Sequence, residues 1–174
     1  MDGSQEERSL VGSSIAVSTN GPDGTQAVAE LLAPMLRPGD VVLLTGGLAT
    51  GKTTFVKAVA AALGSSATAT SPTFMLAQFY PLPEGAILHV DTYRLSGIHE
   101  YRDLGLDDYL DDSITMIEWG EKVAEDFPCH LSVEFHCDSA APDLRVIDFS
   151  SECPRWQPAI DALASEWLDE LKLG

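Results

Sequence analysis

Basic residues are scarce in this chain of 174 residues. Ten Lys and Arg face 27 Asp and Glu, so the formal net charge is −17. Affinity for DNA or RNA that does not depend on base sequence comes from Lys and Arg side chains that neutralise phosphates. The chain is therefore a poor candidate to hold a nucleic acid by itself. Its acidic surface either serves solubility alone or docks onto a basic partner.

Long apolar runs are absent as well. No uninterrupted apolar stretch reaches the ~18 residues that a membrane span needs. The polar start, MDGSQEERSL, has neither the basic region nor the hydrophobic region of a signal peptide. We therefore expect a cytoplasmic protein that makes no membrane contact.

Cysteine and histidine are few, and neither is spaced as a metal site requires. The three cysteines and four histidines form no CxxC, HExxH or zinc-like pattern. Reduced, structural thiols are the expectation for a cytoplasmic protein, and no transition-metal site is expected. The cysteines concerned are Cys129, Cys137 and Cys153.

The apolar pattern that is present predicts an α/β fold. We expect residues 1–12 to be a disordered leader and residues 13–174 to form a single domain that ends in a helix. Strands alternate with helices through the first two thirds, which favours a mainly parallel sheet covered on both faces. HLSVEFHC and LRVIDFS alternate in polarity and predict antiparallel strands at the edge of that sheet.

Three less regular stretches carry predictions of their own. GPDG, residues 21–24, is predicted to be a turn that precedes a helix over Thr25–Leu36. HEYRDLGLDDYL, residues 99–110, is predicted to be one short acidic helix. In the tail, apolar residues at helical spacing predict one buried face, made of Trp156, Ile160, Leu163, Trp167, Leu168 and Leu171.

The stretch GGLATGKTTF, Gly46–Phe55, satisfies G-x4-G-K-[ST] between an apolar strand-like run and a helix-like run. Glycines let the loop turn its backbone N–H groups toward a phosphate, and the N-terminus of the following helix favours the anion. Lys52 can reach the β- and γ-phosphates, and the Thr53 hydroxyl is suited to ligate Mg²⁺. The residues predicted to contact the nucleotide here are Gly46, Gly47, Leu48, Ala49, Thr50, Gly51, Lys52, Thr53 and Thr54.

Two acidic residues end predicted strands, where ligands bind in open α/β sheets. ILHVD ends in Asp91 and ITMIE ends in Glu118. A phosphate loop needs a carboxylate that holds Mg²⁺ or its waters. We assign that role to Glu118 and give Asp91 a second metal-shell role or the orientation of the attacking water, although the two could be exchanged. Between the loop helix and the Asp91 strand, Ser71, Pro72 and Thr73 form either a switch that senses the γ-phosphate or a plain proline turn.

The motifs GGLATGKTTF, SPTF, HVDTYRL, EYRDLGLDDYL and IEWGEK, in this order, resemble the TsaE (YjeE) family, small ATPases of bacterial tRNA threonylcarbamoyladenosine biosynthesis. The resemblance spans about Thr25–Trp119. It implies a three-layer phosphate-loop fold, ATP and Mg²⁺ as ligands, and TsaB- and TsaD-like partner subunits. In that family ATP hydrolysis supports repeated turnover of the complex that modifies adenosine 37 of tRNA, so contact with tRNA is expected to be indirect.

The resemblance also assigns roles to single residues. Lys52 and Thr53 match the loop lysine and the magnesium threonine, and Asp91 matches the acid of the family's HFDLYRL-like motif. The remaining matches are Glu118 and Trp119 for a Glu-Trp pair, Ser71–Thr73 for the switch, and Asp23 and Thr25 for nucleotide contacts. Trp119 either stacks on a base or gates the site, or it only packs in the core.

Three positions depart from the family pattern: Gly47 replaces Asp, Ala49 replaces Gly, and Thr92 replaces Leu. If the loop requires a positive φ at Ala49, the alanine costs about 1 kcal/mol or more. Two other functions stay open at this point. One is a small-molecule kinase, for which the scattered arginines and the lack of a lid-like insertion are unfavourable. The other is a nucleotide-dependent assembly module with little turnover.

Overall fold

A mixed sheet forms the centre of the computed structural model. The structure describes residues 12–66 and 76–173, and it describes residues 170–173 by their backbone only. Residues 1–11 of the expected leader lie outside the described residues, and so does the candidate switch Ser71–Thr73. The strands are β1 Ser13–Asn20, β2 Val41–Gly46, β3 Ala77–Pro81, β4 Ala86–Asp91, β5 Ser113–Glu118, β6 Leu131–Asp138 and β7 Ala141–Ser151. The helices are α1 Gly21–Leu32, α2 Lys52–Ala62, α3 Ile98–Arg102 and α4 Gln157–Leu173, with short 3-10 turns between elements.

Within the described residues the strands form one seven-stranded sheet in the order β1-β7-β6-β2-β5-β4-β3. The four central strands, from β6 to β4, run parallel. The outer strands β1, β7 and β3 are antiparallel to their neighbours. β6 and β7 form the predicted antiparallel pair, but the predicted edge position is corrected, because β1 lies outside them and β6 pairs with the central strand β2. β3 and β4 are joined by a short turn, and such a connection permits only an antiparallel pair. The predicted α/β phosphate-loop fold is confirmed.

Helices cover the two faces of the sheet unequally. Val42 and Leu44 point to the face that packs under α1, α2 and α4, while Val41 and Leu43 point to the opposite face. The second face is closed by α3 and by the segments that carry Leu106 and Phe127. Because central strands are buried on both sides, they are nearly continuously apolar. The result is three layers, with the longer helices on the face where the glycine loop leads into α2.

Three of the sequence predictions are corrected by the structure. GPDG is not a turn but the first turn of α1, where Pro22 and the acidic side chain of Asp23 are both favourable. Residues 99–110 do not form one helix: α3 ends at Arg102 and Gly105 adopts φ +65°, which interrupts the helical path before a 3-10 turn at Asp107–Tyr109. On α4, Ile160 and Leu163 are buried as predicted, but Leu168 is 57% exposed.

The expectation of three reduced cysteines is also corrected, because Cys129 and Cys153 form a disulfide. The register of β6 and β7 pairs Ser132 with Ser150, and continuing it outward brings the two cysteines opposite each other. Their Cα atoms lie 5.1 Å apart, within the range that a disulfide spans. Cys137 is free and exposed.

Reducing this disulfide is expected to destabilise the protein. The bond closes a loop with a sequence separation of 24, and a loop of that size restricts the unfolded chain by about 3 kcal/mol. We expect dithiothreitol to lower the melting temperature by about 10 °C, measured by circular dichroism. Cys137→Ser should show the same shift as the wild type. Equal melting temperatures with and without reductant would contradict the prediction.

Among residues 12–66 and 76–173, no helix combines the length and the apolar character that crossing a membrane demands.

Candidate functional site

The glycine loop leaves the end of β2 and enters α2 at Lys52, and two of its glycines have dihedral angles that other residues rarely adopt. Gly46 has φ +124° and Gly51 has φ +113°. A Cβ at Gly46 would lie 2.4 Å from the carbonyl oxygen of Phe135 on β6. The loop therefore passes so close to the neighbouring strand that only a glycine fits at Gly46.

Ala49, at the tip of the same loop, has φ 57°, a left-handed conformation that is unfavourable for a residue with a Cβ. Ala49, which stands where the TsaE family pattern has glycine, is thus at a position that requires a positive φ. The cost expected for that case, about 1 kcal/mol, applies to this loop.

Ala49→Gly is expected to raise the free energy of unfolding by about 1 kcal/mol, because removing the Cβ relieves the left-handed conformation. Thermal melting measures the change, with an expected shift of about +3 °C. Ala61→Gly on the exposed side of α2 is the matched control. It should have the opposite sign, since glycine weakens a helix by about 1 kcal/mol. A loss of stability in both variants would show that Ala49 is not strained.

Lys52 is buried against the loop that precedes it. Its Nζ donates to the carbonyl oxygens of Gly46 at 2.9 Å and Gly47 at 2.5 Å. It also lies 4.3 Å from the ring centroid of Trp119, a cation–π contact. Burial lowers the pKa of the ammonium, and the carboxylates of Glu118, Glu121 and Asp91 oppose that effect. Lys52 thus stands as a cation at the floor of the loop, where it can meet an anion.

Glu118 meets the start of α2 across the sheet. Its Oε1 accepts hydrogen bonds from Thr53 Oγ1 at 2.7 Å and from His89 Nε2 at 2.9 Å. Burial acts to raise the pKa of Glu118, but the hydrogen bonds from His89 and Thr53 and the nearby positive charge of Lys52 together outweigh it, so the pKa lies below its ordinary value. A hydroxyl beside an ionised carboxylate is a pair of hard oxygen donors, which suits Mg²⁺.

Asp91 lies beside Glu118 at the same edge of the sheet, because the two residues are partners in the parallel register of β4 and β5. It is half-buried, and its Oδ1 accepts the backbone N–H of Tyr93 at 2.9 Å. Both acids that the sequence singled out thus sit at the carboxyl ends of adjacent strands. Only Glu118 is hydrogen-bonded to the threonine of the loop motif.

Trp119 has an unusual backbone for a bulky residue, with φ 59° and ψ 40°. Its carbonyl oxygen accepts from Thr92 Oγ1 at 2.9 Å and from the N–H of Lys122 at 3.2 Å. The indole contacts both Lys52 and the ring of Tyr93, whose centroid is 5.0 Å away. Thr92, which departs from the family pattern, is therefore one of the groups that hold the left-handed turn.

These residues surround a cleft of about 460 Å³. Asp91 and Glu118 lie at one end, while Gly21, Pro22 and Arg145 lie at the other, because β7 and β4 are on opposite sides of β2. The predicted contact residues that line the cleft are Thr25, Leu48, Ala49, Thr50, Gly51, Lys52, Thr53, Thr54, Asp91, Glu118 and Trp119. Gly46 and Gly47 bond Lys52 beneath it, and Asp23 is not part of its lining.

Sequence reasoning missed His89, Tyr93 and Arg145. A signal existed for His89, because it precedes Asp91 by two positions on β4 and so shares its face of the sheet. Tyr93 follows Asp91 within HVDTYRL, but nothing local placed its ring on Trp119. Arg145 had no local signal, since the pairing of β7 with β6 brings it to the cleft.

A family model, two curated proteins and a solved structure are similar to this chain over most of its length. The family model described as "Threonylcarbamoyl adenosine biosynthesis protein TsaE" matches residues 19–146. The Streptomyces coelicolor protein named tRNA threonylcarbamoyladenosine biosynthesis protein TsaE is 39% identical over 134 residues, covering 74% of this chain and 90% of that protein. Its Bacillus subtilis namesake is 34% identical over 147 residues, covering 84% and 91%. The crystal structure of Bacillus subtilis YdiB superposes with a TM-score of 0.73 at 28% identity, covering 91% of this chain and 99% of that one.

Proposed function

The chain belongs to the TsaE family, and on that premise we propose that it is a Mg²⁺-dependent, ATP-hydrolysing subunit of the complex that makes N6-threonylcarbamoyladenosine at adenosine 37 of tRNA. The names of its relatives support the pathway. The observation that carries the ATPase role is the contact of 2.7 Å between Thr53 Oγ1 and Glu118 Oε1, directly after the glycine loop. This contact supports the proposal, because phosphate-loop enzymes hold their metal ion with a hydroxyl and a carboxylate at this point of the fold.

The loop and Lys52 would bind the β- and γ-phosphates. The N-terminus of α2 offers unpaired N–H groups and the positive end of the helix dipole. Lys52 now donates to the carbonyl oxygens of Gly46 and Gly47. Phosphate oxygens would take over as acceptors, and the ammonium would then neutralise charge that builds up during hydrolysis.

Thr53 and Glu118 would hold the metal ion. Bound Mg²⁺ supplies a positive charge that stabilises the developing negative charge on the phosphates. Asp91, one strand further out, would accept a hydrogen bond from the attacking water and orient it. Trp119 packs on Lys52 and closes one wall of the cleft, which restricts the access of other water molecules.

The opposite end of the cleft would receive the ribose and base. Its walls come from Gly21, Pro22 and Thr25 of α1 and from Arg145 of β7. Of the two nucleotide contacts expected from α1, the one from Thr25 has more support than the one from Asp23, because Thr25 lines the cleft and Asp23 does not.

TsaB- and TsaD-like subunits are the partners that we propose. With ten basic residues against 27 acidic ones, this chain is poorly suited to hold tRNA, so we assign tRNA binding to those subunits. Ser71, Pro72 and Thr73 remain our candidates for the switch that reports the nucleotide state to them.

Depletion of the protein from its host tests the proposal. Hydrolysates of total tRNA should lose threonylcarbamoyladenosine, and expression of the wild type should restore it. Lys52→Ala and Glu118→Ala should fail to restore it, whereas Lys57→Ala, on the same helix α2, should succeed. Unchanged modification after depletion would overturn the proposal, and rapid stoichiometric phosphorylation of a free metabolite by the purified protein would favour a kinase instead.

A further inference from the structure

A line of buried polar groups runs from Glu118 away from the cleft. His89 lies next to Glu118, with 2.9 Å between Nε2 and Oε1, and Tyr80 lies beyond, with 3.3 Å between its hydroxyl and His89 Nδ1. The three residues sit on the adjacent strands β5, β4 and β3, and each is at most 5% exposed. Buried polar groups in such a line are costly unless all of them are satisfied.

The chemistry of the acceptor sets the direction of each hydrogen bond. The carboxylate of Glu118 can only accept, so His89 Nε2 carries the hydrogen and donates it. When the ring is neutral, Nδ1 is then an acceptor and receives the hydrogen of the Tyr80 hydroxyl. Tyr80 thereby fixes which ring nitrogen of His89 faces Glu118.

The two donors to Glu118 converge on a single oxygen. Thr53 and His89 both reach Oε1, and Oε2 has no hydrogen bond among the residues that the structure describes. The carboxylate is thus held from two sides, one from α2 and one from β4. A carboxylate fixed in this way presents its free oxygen in one orientation, which is the usual effect of outer hydrogen bonds on metal ligands.

We propose that His89 is a positioning residue, which orients the Glu118 carboxylate toward the metal ion beside the nucleotide, and that Tyr80 holds His89 in the tautomer required. This inference rests on the metal role of Glu118 proposed above. A purely structural role for His89 would predict an effect on stability but not a dependence of metal affinity on one hydrogen-bond donor.

His89→Gln and His89→Asn form a matched pair that separates these roles. Both side chains are neutral amides, but only the longer glutamine can place an N–H where Nε2 stands. The measurement is Mn²⁺ affinity of the complex with a non-hydrolysable ATP analogue, by electron paramagnetic resonance. We expect His89→Asn to weaken Mn²⁺ binding about tenfold or more, and His89→Gln and the wild type to agree within about threefold. Affinity for the analogue without metal should be the same in all three.

Tyr80→Phe is the second test, because it removes one hydroxyl from the line and nearly conserves volume. Mn²⁺ binding should weaken a few-fold, while the melting temperature shows that the variant is folded. Equal Mn²⁺ affinity in His89→Asn and the wild type would overturn the positioning role of His89 but not the proposed metal site. Equal losses in the Gln and Asn variants would also overturn it, because the donor would not matter. A wild type that binds the analogue without any effect of Mn²⁺ would instead overturn the proposed metal site itself.

Discussion

Replacing Glu118 with Gln is expected to slow ATP hydrolysis by about two orders of magnitude or more. The amide keeps the shape of the side chain but removes the charge that faces Thr53 and the metal ion. Its uncharged oxygen is a weaker ligand for a hard cation, and its NH₂ group cannot accept the Thr53 hydrogen bond. Single-turnover hydrolysis, with the protein in excess over ATP and with partner subunits present, measures the loss.

Nucleotide affinity in the presence of EDTA should change only a few-fold in this variant, since Lys52 and the loop N–H groups are untouched. Asp91→Asn is the comparison that separates the two acids. It should keep the gain in affinity that Mg²⁺ gives, because the Thr53 hydroxyl bonds Glu118 and not Asp91. It should nevertheless lose turnover, because the attacking water would no longer be oriented. If Asp91→Asn abolishes the Mg²⁺ effect and Glu118→Gln does not, the two roles must be exchanged.

Gly46→Ala is expected to cost about 4 kcal/mol of unfolding free energy and to abolish nucleotide binding. Two independent causes act at this position. The backbone has φ +124°, which an alanine adopts only with strain, and the added Cβ would approach the Phe135 carbonyl oxygen to 2.4 Å. Neither β2 nor β6 can move aside, because both are central strands. A fall in melting temperature of about 12 °C should follow.

Gly47→Ala is the matched control for that stability measurement. A Cβ at Gly47 would lie 3.6 Å from Thr50 Cγ2, an ordinary van der Waals contact, so its melting temperature should stay within about 2 °C of the wild type. If both variants melt alike, close packing of the loop on β6 does not explain the need for glycine.

Much of the fold was predictable because its signals are short-range. The runs at Val41–Gly46, Ala86–Asp91 and Ser113–Glu118 are apolar enough to identify buried strands, and they occur close to the predicted bounds. Predictions failed where a local signal had two outcomes. GPDG is suited either to a turn or to the start of a helix. In the structure it starts α1, which directly follows the end of β1 at Asn20.

By itself the sequence determined the phosphate loop, the two acids at strand ends and the acidic balance of the chain, because each depends on residue types at short spacing. Tertiary structure decided the rest. It placed Thr53 on Glu118, His89 behind that carboxylate, Trp119 on Lys52 and Cys129 on Cys153. Each of these contacts joins different elements, so it depends on strand order and register, which no local pattern encodes. The strain at Ala49 likewise depends on the path of the loop between β2 and α2, which gives this residue its positive φ.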